Sequence, residues 1–481
     1  MTIATTSRPK LMLLAIDASP AERIDSWIAD GSLPNLAALR ASGTHGRINS
    51  TAEHLIGTAW PTFHTGLLPP EHGWTFYLTW RPDLMRFVRP TQEWLPIHPF
   101  YREFPLDGPR VIAIDVPITY AARPFNGIEL CGWGTHDKIA RPSSFPLGLG
   151  DRIRREIGPP PIADEAADRQ SAASLLAYRD ELIAAVDWHL RAGLTLMREH
   201  PWDLFFLGFG SLHRCGHKIW NHLGTTDAPT AEQRDELDDA MRQVALATDR
   251  AVGALIAAAG PETRIMTFSL HGMVENYSLF PLHQRMLDRI LSGERRDDPE
   301  VPPRSTASRV REAIPLGLRS RLKNALPMRL QDQMTLYWRF RAGDWSRTRA
   351  ILLAGDLEAL IQVNLKGRER SGIVEPGPPY EALLDEIAAG FRSFHDLDSG
   401  EPFVRDARRG QAIWPEAVRR RPLPDLVVWN QRRSSFGIRG FASERYGIVR
   451  NYDLGFFPDG RNGHHVGEGW FIAGGADLPR A

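Results

Sequence analysis

Short apolar runs, separated by stretches of helix-forming residues, constrain the fold of this chain more than any other feature of its sequence. Each run is only five to eight residues long, and all of them except 263–269 consist mainly of apolar residues. This length and composition are typical of strands that are buried on both faces of a parallel sheet. The runs cover residues 10–17, 110–115, 203–209, 263–269 and 425–429.

The stretches between these runs have the spacing of amphipathic helices. Apolar residues recur at helical intervals and helix-forming residues dominate. The stretch at residues 231–259 is closed by Gly260 and Pro261, which commonly end a helix. The predicted helices span residues 33–41, 164–199, 231–259 and 380–394. Strands that alternate with helices predict an α/β fold, with a mostly parallel, doubly wound sheet and helices on both faces.

Residues 280–350 interrupt the alternation. Between Glu294 and Arg349 the chain contains 13 basic and 7 acidic residues and few β-branched runs. This composition predicts a helical insertion or cap, with residues 1–279 and 351–481 forming the α/β core. The basic excess either faces an anionic substrate or belongs to a solvated helical surface, and the sequence leaves both interpretations open.

Charge balance and cysteine content limit the expected partners and environment. The 58 basic and 58 acidic residues balance, so neither nucleic acid nor a membrane is an expected partner. Cys131 and Cys215 are the only cysteines, which excludes a disulfide framework and favours a reducing compartment. The first apolar stretch, residues 11–16, is too short for a signal peptide or a membrane span. We therefore expect a soluble, cytoplasmic protein.

Acidic and histidine side chains follow three of the apolar runs. Asp17 ends the first run, residues 211–217 follow the third, and His271 follows the fourth. In open parallel sheets, ligands bind beyond the carboxyl ends of the strands. Histidines and an acid that recur at strand ends are what a metal site on this architecture requires.

Several motifs occur in the same order as in a known protein family. They cover residues 13–17, 33–39, 59–66, 69, 72–73, 202–206, 213–217, 269–272, 364–368, 424–428 and 463–469. With these motifs the chain resembles the type I phosphodiesterase/nucleotide pyrophosphatase proteins of the alkaline phosphatase superfamily. The resemblance implies an alkaline-phosphatase-like fold and a hydrolase with two metal ions, which stabilise the attacking and leaving oxygens of an in-line displacement.

The resemblance also implies a set of metal ligands. In the family, one ion is bound by an Asp and two His, and the other by two Asp, one His and a Thr or Ser that is also the nucleophile. Asp17 matches the first Asp of this pattern, and His217 and His465 match the two His of one site. His271 matches the His of an Asp-His-Gly motif. These four residues are therefore candidate ligands.

Three positions depart from the family pattern: His213 replaces an Asp four residues before His217, Leu270 replaces the Asp of Asp-His-Gly, and Ile56 occupies the nucleophile position. Leucine and isoleucine side chains bind no cation, so the second site retains only Asp17 and His271. Two ligands are too few for a catalytic zinc ion, which normally has three from the protein. We therefore expect one metal ion rather than two.

The first site then consists of three histidines, His213, His217 and His465. Three imidazoles with one open position are a well-attested zinc arrangement, which lowers the pKa of bound water to about 7. Zinc is the predicted ion, and manganese or iron would also bind imidazole. The alternative for His213 and His217 is a packing or surface role, and Asp17 alternatively caps a helix or ends its strand. His271 is alternatively a core histidine with satisfied hydrogen bonds, and only the spacing to Gly469 favours His465 over the adjacent His464.

The nucleophile is the least defined part of the predicted site. Counting nine residues back from Thr65 places Ile56 at the family's nucleophile position, and a shift of one or two residues places Gly57 or Thr58 there. Thr58 is therefore the candidate catalytic residue, against the simpler interpretation of a loop threonine that bonds its own backbone. With Ile56 at this position, attack by metal-bound water is the expected mechanism.

The sequence therefore predicts a metal-dependent hydrolase that acts on a phosphate ester, a phosphodiester or a related oxyanion ester, with a small anionic molecule as substrate. One alternative is an enzyme of the same fold with different chemistry, either group transfer or a lytic step. The other is a non-catalytic relative that binds ligands. The departures at Ile56, His213 and Leu270 motivate both alternatives. Metal content separates the non-catalytic relative, which would bind none, from the two kinds of enzyme.

Overall fold

The computed structural model describes residues 8–90, 94–95, 97–121, 124–134, 139, 141–161, 170–301, 314, 318, 322, 325–339, 345–414, 423–452, 457 and 460–476. Its strands, in chain order, are β1 (Lys10–Ile16), β2 (Thr44–Asn49), β3 (Thr79–Arg81), β4 (Arg86–Val88), β5 (Val111–Ile114), β6 (Gly127–Cys131), β7 (Ser143–Phe145), β8 (Leu204–Phe209), β9 (Thr263–Ser269), β10 (Gly272–Glu275), β11 (Ala350–Leu352), β12 (Ala359–Val363), β13 (His395–Asp396), β14 (Val404–Arg409), β15 (Leu426–Asn430), β16 (Gly440–Ser443), β17 (Gly447–Arg450), β18 (Gly463–Val466) and β19 (Glu468–Gly475).

The α-helices of the described residues include two that are much longer than the rest. In chain order the helices are α1 (Ala21–Ala29), α2 (Pro34–Ser42), α3 (Ala59–Thr65), α4 (Pro69–His72), α5 (Leu149–Ile157), α6 (Ala172–Glu199), α7 (Ser211–Lys218), α8 (Ala231–Ala259), α9 (Phe280–Ser292), α10 (Met328–Arg339), α11 (Pro378–Arg392) and α12 (Gly410–Ile413). The long helices are α6 and α8. None of the described helices is long and apolar enough to cross a bilayer.

An eight-stranded sheet in the order β2-β19-β9-β1-β8-β5-β6-β7 forms the centre of the molecule. Its five inner strands, β9, β1, β8, β5 and β6, run parallel. The strands β2, β19 and β7 pair antiparallel to their neighbours. The predicted α/β fold with a mostly parallel sheet is therefore confirmed, and four of the five predicted strands lie in this sheet.

The two faces of the sheet bury different residues because side chains alternate along each strand. On β1, Met12 and Leu14 belong to the core beneath α6 and α8, which pack against each other. Leu13 and Ala15 point to the opposite face. Helix α3 and the segment around Tyr101 cover that second face. The parallel strands are thus buried on both sides, as their continuous apolar runs predict.

A second, smaller core contains the fifth predicted strand. The four-stranded sheet β11-β12-β15-β14 and the three-stranded sheet β13-β16-β17 are antiparallel. Helices α9 and α11 pack together on these strands. The run at residues 425–429, predicted as part of an α/β sheet, therefore lies in this second sheet as β15. Apolar periodicity identifies a strand but not the sheet that it joins.

The segment predicted as an insertion is only partly described. Helix α9 contributes Leu282 and Leu287 to the second core, and helix α10 is attached near residue 89 by an ion pair between Asp332 and Arg89. The residues 302–313, 315–317, 319–321, 323–324 and 340–344 lie outside the described part of the chain. The division into a core and a 280–350 cap therefore stays a prediction.

Candidate metal centre

The five predicted ligands meet at the carboxyl edge of the central sheet. Asp17 follows β1, His213 and His217 lie in α7 directly after β8, His271 lies between β9 and β10, and His465 lies in β18. Ile16 pairs with Phe209, so Asp17 and the start of α7 leave the sheet at the same level. Because β18 pairs antiparallel with β10, His465 lies beside the other four residues at this edge of the sheet.

Four imidazole rings form a close cluster. The ring of His465 lies 4.7 Å from that of His213, 4.6 Å from that of His217 and 4.8 Å from that of His271, measured between centroids. All four histidines are buried. Two sets have ligand atoms within 4.8 Å of one another: His213 with His217 and His465, and Asp17 with His213 and His271.

Hydrogen bonds at Nδ1 fix the orientation of His213 and His217. The Nδ1 of His217 lies 2.9 Å from the carbonyl oxygen of Gly463, and a carbonyl only accepts, so this nitrogen carries the proton. The Nδ1 of His213 lies 2.6 Å from Oδ2 of Asp17, and an ionised carboxylate likewise only accepts. In the neutral rings, both Nε2 atoms therefore carry lone pairs.

These two Nε2 atoms face each other at 3.1 Å. When both rings are neutral, two lone pairs at this separation repel, and a cation between them removes the repulsion. Two nitrogens that bind the same zinc ion through bonds of about 2.0–2.1 Å lie roughly this far apart. The donor set of His213, His217 and His465 thus fits a bound metal ion.

His465 completes this set. Its Nδ1 is buried and has no hydrogen-bond partner among the described residues, although a buried polar atom normally has one. Burial foremost, and then the neighbouring His213 and His271, lower the pKa of His465 well below its ordinary value. The neutral imidazole is the form that binds metals.

Asp17 is an ionised carboxylate with two partners. Burial alone would raise its pKa, but attraction to His213, the hydrogen bond from His213, and the nearby His271 and Trp60 together lower the pKa well below its ordinary range. Trp60 donates from Nε1 to Oδ1 at 2.9 Å. A carboxylate that accepts from Nδ1 of a histidine commonly orients that ring towards a metal ion.

Close backbone contact holds α7 against β18. A Cβ added to Gly463 would lie 2.3 Å from the carbonyl oxygen of Gly216, so only glycine permits this approach. The approach is what brings the Gly463 carbonyl to His217. Tyr277 supports the other end of the cluster, because its hydroxyl donates to the carbonyl oxygen of His465 at 2.9 Å.

The hydroxyl of Thr58 is bonded within its own turn. The residue is fully buried, and its hydroxyl donates to the carbonyl oxygen of Leu55 at 2.6 Å and approaches the hydroxyl of Thr51 at 2.9 Å. This geometry is that of a threonine that stabilises its own turn. Ile56 and Gly57, in contrast, line the cavity beside the histidines. The catalytic role predicted for Thr58 therefore gains no support from its position.

A cavity of about 260 Å³ opens onto the cluster. His271 and His465 lie in its wall, next to a mainly apolar surface with three charged residues. That surface consists of Ile56, Gly57, Trp60, Trp74, Phe76, Tyr77, Arg89, Ile118, Ile139, Asp356 and Arg461. Arg461 binds Asp356 at 3.0 Å and approaches Nε2 of His464 at 3.2 Å. Apart from Ile56, Gly57 and Trp60, which lie in or beside the motif at 59–66, these wall residues could not be predicted from the sequence, since single aromatic and arginine residues carry no motif.

The fold and the site together define an α/β protein of the alkaline phosphatase superfamily with a histidine-rich candidate metal centre. A family model described as type I phosphodiesterase/nucleotide pyrophosphatase matches residues 11–332. The chain belongs to this family, as the order of its motifs predicts. A search of curated proteins finds no significant match to the sequence.

Solved structures agree with this fold. Phosphonoacetate hydrolase from Sinorhizobium meliloti 1021, in complex with phosphonoformate, is 16% identical with a TM-score of 0.52, over 98% of this chain and 92% of that chain. Its complex with phosphonoacetate gives a TM-score of 0.51 at the same identity and coverage. Murine ectonucleotide pyrophosphatase/phosphodiesterase 5, in complex with AMP, is 13% identical over 97% and 88% of the two chains, with a TM-score of 0.43. At such identities the likeness concerns the fold alone.

Proposed function

We propose that this protein is a metal-dependent hydrolase of a phosphate ester, a phosphodiester or a related oxyanion ester, with one metal ion bound by His213, His217 and His465. The observation that supports this proposal best is the 3.1 Å approach of the two Nε2 atoms of His213 and His217. Both rings are oriented through Nδ1, so their Nε2 lone pairs converge, and a ring nitrogen of His465 lies within 4.8 Å of them.

Zinc suits three imidazole ligands, and manganese and iron also bind imidazole. Asp17 takes a supporting role in this proposal, because its two oxygens are already occupied by His213 and Trp60. It orients His213 rather than binding a second ion. His271 remains beside the centre as a second candidate ligand or as a polar contact for the substrate.

The apolar cavity wall binds the organic group of the ester, and the histidine end holds the anionic group. A divalent ion there would stabilise negative charge on the phosphoryl oxygens and make a water molecule more acidic. Ile56 and Gly57 offer no nucleophilic side chain at the wall, so water is the attacking group. Its oxygen forms the new bond to the central atom, the bond from that atom to the ester oxygen breaks, and a proton from the water ends on the leaving alkoxide, which departs as the alcohol.

Metal content tests the proposal directly. Elemental analysis of protein purified without chelator should give one equivalent of metal per chain, and His217→Ala should lower it sharply. The matched control is Cys215→Ser in the same helix. It should leave the metal content unchanged, because the Cys215 side chain is buried in the larger hydrophobic core. Two equivalents would show that Asp17 and His271 bind a second ion.

A non-catalytic ligand-binding role is the second candidate, and the apolar residues Ile56 and Leu270 at two family positions favour it. The same two residues also favour an enzyme of the same fold with group-transfer or lytic chemistry. Turnover on a panel of phosphomonoesters, phosphodiesters and sulfate esters, followed by product analysis, separates these possibilities. Neither turnover nor bound metal would support the non-catalytic role. The cytoplasmic location stays a prediction.

A further inference from the structure

Two arginines of the cavity wall are held by aspartates in different ways. Arg89 binds Asp332 through two nitrogens, Nε at 3.1 Å and Nη2 at 2.6 Å, so the carboxylate takes one whole edge of its guanidinium. Arg461 binds Asp356 through Nη1, at 3.0 Å. Both arginines line the cavity, but only the pair of Arg461 leads towards the histidines.

Arg461 lies at the histidine end of the cavity. It stands just before β18, the strand that carries His465, and its Nη1 lies 3.2 Å from Nε2 of His464 in that strand. The ring of His464 lies 5.3 Å from that of His465, measured between centroids. A fixed positive charge thus accompanies the candidate metal centre in the cavity wall.

Within its ion pair, the guanidinium of Arg461 is the more accessible partner. Its side chain is 24% exposed, whereas that of Asp356 is 8% exposed. A guanidinium is charged at every physiological pH, and its planar fork of N–H donors suits phosphate and carboxylate oxygens. Because Asp356 already holds the side chain in place, little rotamer freedom is lost when an anion binds.

The volume of the cavity suits a ligand with one small organic group. It is about 260 Å³, whereas ligand pockets commonly measure about 300–1,000 Å³. Trp60, Trp74 and Phe76 provide the apolar contact surface of its wall. A diester would require space for a second organic group beside the anionic one.

We propose that Arg461 binds the anionic oxygens of the substrate, and that the substrate is a phosphate monoester with one small apolar group. This inference rests on the proposed hydrolase function and narrows its substrate class. The group of a monoester carries nearly two negative charges at neutral pH, so it gains more from the guanidinium than the singly charged group of a diester does. If Arg461 only tied β18 to Asp356, the protein would show no such preference.

Two ligands that contain no ester bond and differ by one negative charge test the proposal. Benzylphosphonate carries two negative charges when fully ionised, and in benzyl(methyl)phosphinate a methyl group replaces one anionic oxygen. Isothermal titration calorimetry on the metal-containing protein should show binding of the phosphonate about tenfold tighter or more. Arg461→Met should weaken phosphonate binding by about tenfold or more, and phosphinate binding by a smaller factor, because the phosphinate has one charge fewer.

The matched control is Arg40→Met, which removes another aspartate-paired arginine, outside the cavity wall, and should bind both ligands as the original protein does. Arg461→Lys keeps the positive charge and should retain part of the preference for the phosphonate. Elemental analysis should find one equivalent of metal in each variant, and thermal melting should show that each is folded.

The outcomes separate this inference from the function on which it rests. Equal affinity for the two ligands, no binding of either, or unchanged affinities in Arg461→Met would overturn the inference for a protein that contains its metal ion. The proposed hydrolase function would survive each of these results. Absence of metal from the original protein would contradict the proposed function and the inference together.

Discussion

At the scale of single residues, the partners of the two Nδ1 atoms decide what the histidine cluster can do. Asp17 and Gly463 each accept from one ring, so the Nε2 lone pairs of His213 and His217 point inward. Neither acceptor is near its histidine in sequence, since the pairs are 196 and 246 residues apart. The chemistry of the cluster therefore depends on the carboxylate and the carbonyl as much as on the histidines.

Replacement of Thr58 tests whether the reaction uses a covalent nucleophile. Thr58→Ala should retain most of the hydrolytic activity, because its hydroxyl is bonded within its own turn. His213→Ala should lower activity at least about 100-fold, as loss of a ligand or its support commonly does. Steady-state kinetics on the best substrate of the ester panel measures both. A phosphothreonine at Thr58 after acid quench, detected by peptide mass spectrometry, would contradict attack by water.

Glu358 is a second residue whose burial has a measurable consequence. Its Oε2 is buried without a hydrogen-bond partner among the described residues. Burial foremost, helped by repulsion from Asp356 and Glu53, raises the pKa of Glu358 from 4.5 to about 8. The folded state thus holds this proton more tightly than the unfolded state. The resulting stability is present at low pH and is lost as the pH rises from about 4.5 through 8.

The variant Glu358→Gln should remove this pH dependence. We expect its free energy of unfolding at pH 9 to exceed that of the original protein by about 2–4 kcal/mol, because no charge is then buried. Urea denaturation at pH 5 and pH 9 measures the difference. Glu375→Gln at an exposed position is the control. Equal pH profiles for Glu358→Gln and the original protein would show that the buried carboxyl is stabilised by other means.

At the scale of elements, one helix caps another. Leu33 at the N-cap of α2 has no side chain that can accept a hydrogen bond. Asp249 of α8 supplies the cap instead, because it accepts from the backbone nitrogens of Leu36 at 2.8 Å and Asn35 at 3.1 Å. This contact ties α2, at the edge of the sheet, to the long helix in the centre of the larger core.

Removal of this cap should destabilise the protein without changing the site. Asp249→Ala leaves buried backbone N–H groups without an acceptor, so we expect a loss of about 1–3 kcal/mol in the free energy of unfolding. Asp235→Ala on an exposed position of the same helix should change it by less than about 0.5 kcal/mol. Urea denaturation provides the measurement, and equal losses for the two variants would contradict the capping role.

At the scale of the whole molecule, two hydrophobic clusters meet around the cavity. The cluster on the sheet face that α3 covers contributes Trp60, Trp74 and Ile118 to the cavity wall, and the smaller core contributes Phe76. His283 is buried in the smaller core, and neither ring nitrogen has a hydrogen-bond partner among the described residues. Burial lowers the pKa of His283 from 6.5 to about 3.

Acid should therefore weaken the smaller core. Between pH 6.5 and about 3, His283 binds a proton in the unfolded state but not in the folded state. The free energy of unfolding therefore falls as the pH falls through this window. His283→Leu should flatten the profile and raise the free energy of unfolding at pH 4.5 by about 2–3 kcal/mol. His395→Leu at an exposed site is the control. The free energy of unfolding is measured at pH 4.5 and pH 7.5 for both proteins. An equal change between these two pH values in His283→Leu and in the original protein would refute this effect.

The sequence by itself determined four of the eight strands of the central sheet and the positions at which polar side chains leave it. A local apolar run set the bounds of β8 at Leu204–Phe209 to within one residue, because burial on both faces favours a continuous apolar run. The order of the motifs also identified the family. Asp17, His213 and His271 were predictable as neighbours for the same reason, since the carboxyl ends of parallel strands share one edge.

Only the tertiary structure decided how these residues interact. It placed the run at 425–429 in the second sheet, and it set the Nδ1 partners of His213 and His217. It also placed Ile56 and Gly57, rather than Thr58, in the wall of the apolar cavity, which it assembled from distant segments. The physical reason is that sequence patterns report which side of an element is buried, whereas hydrogen-bond partners and cavity walls depend on how the chain crosses itself over hundreds of residues.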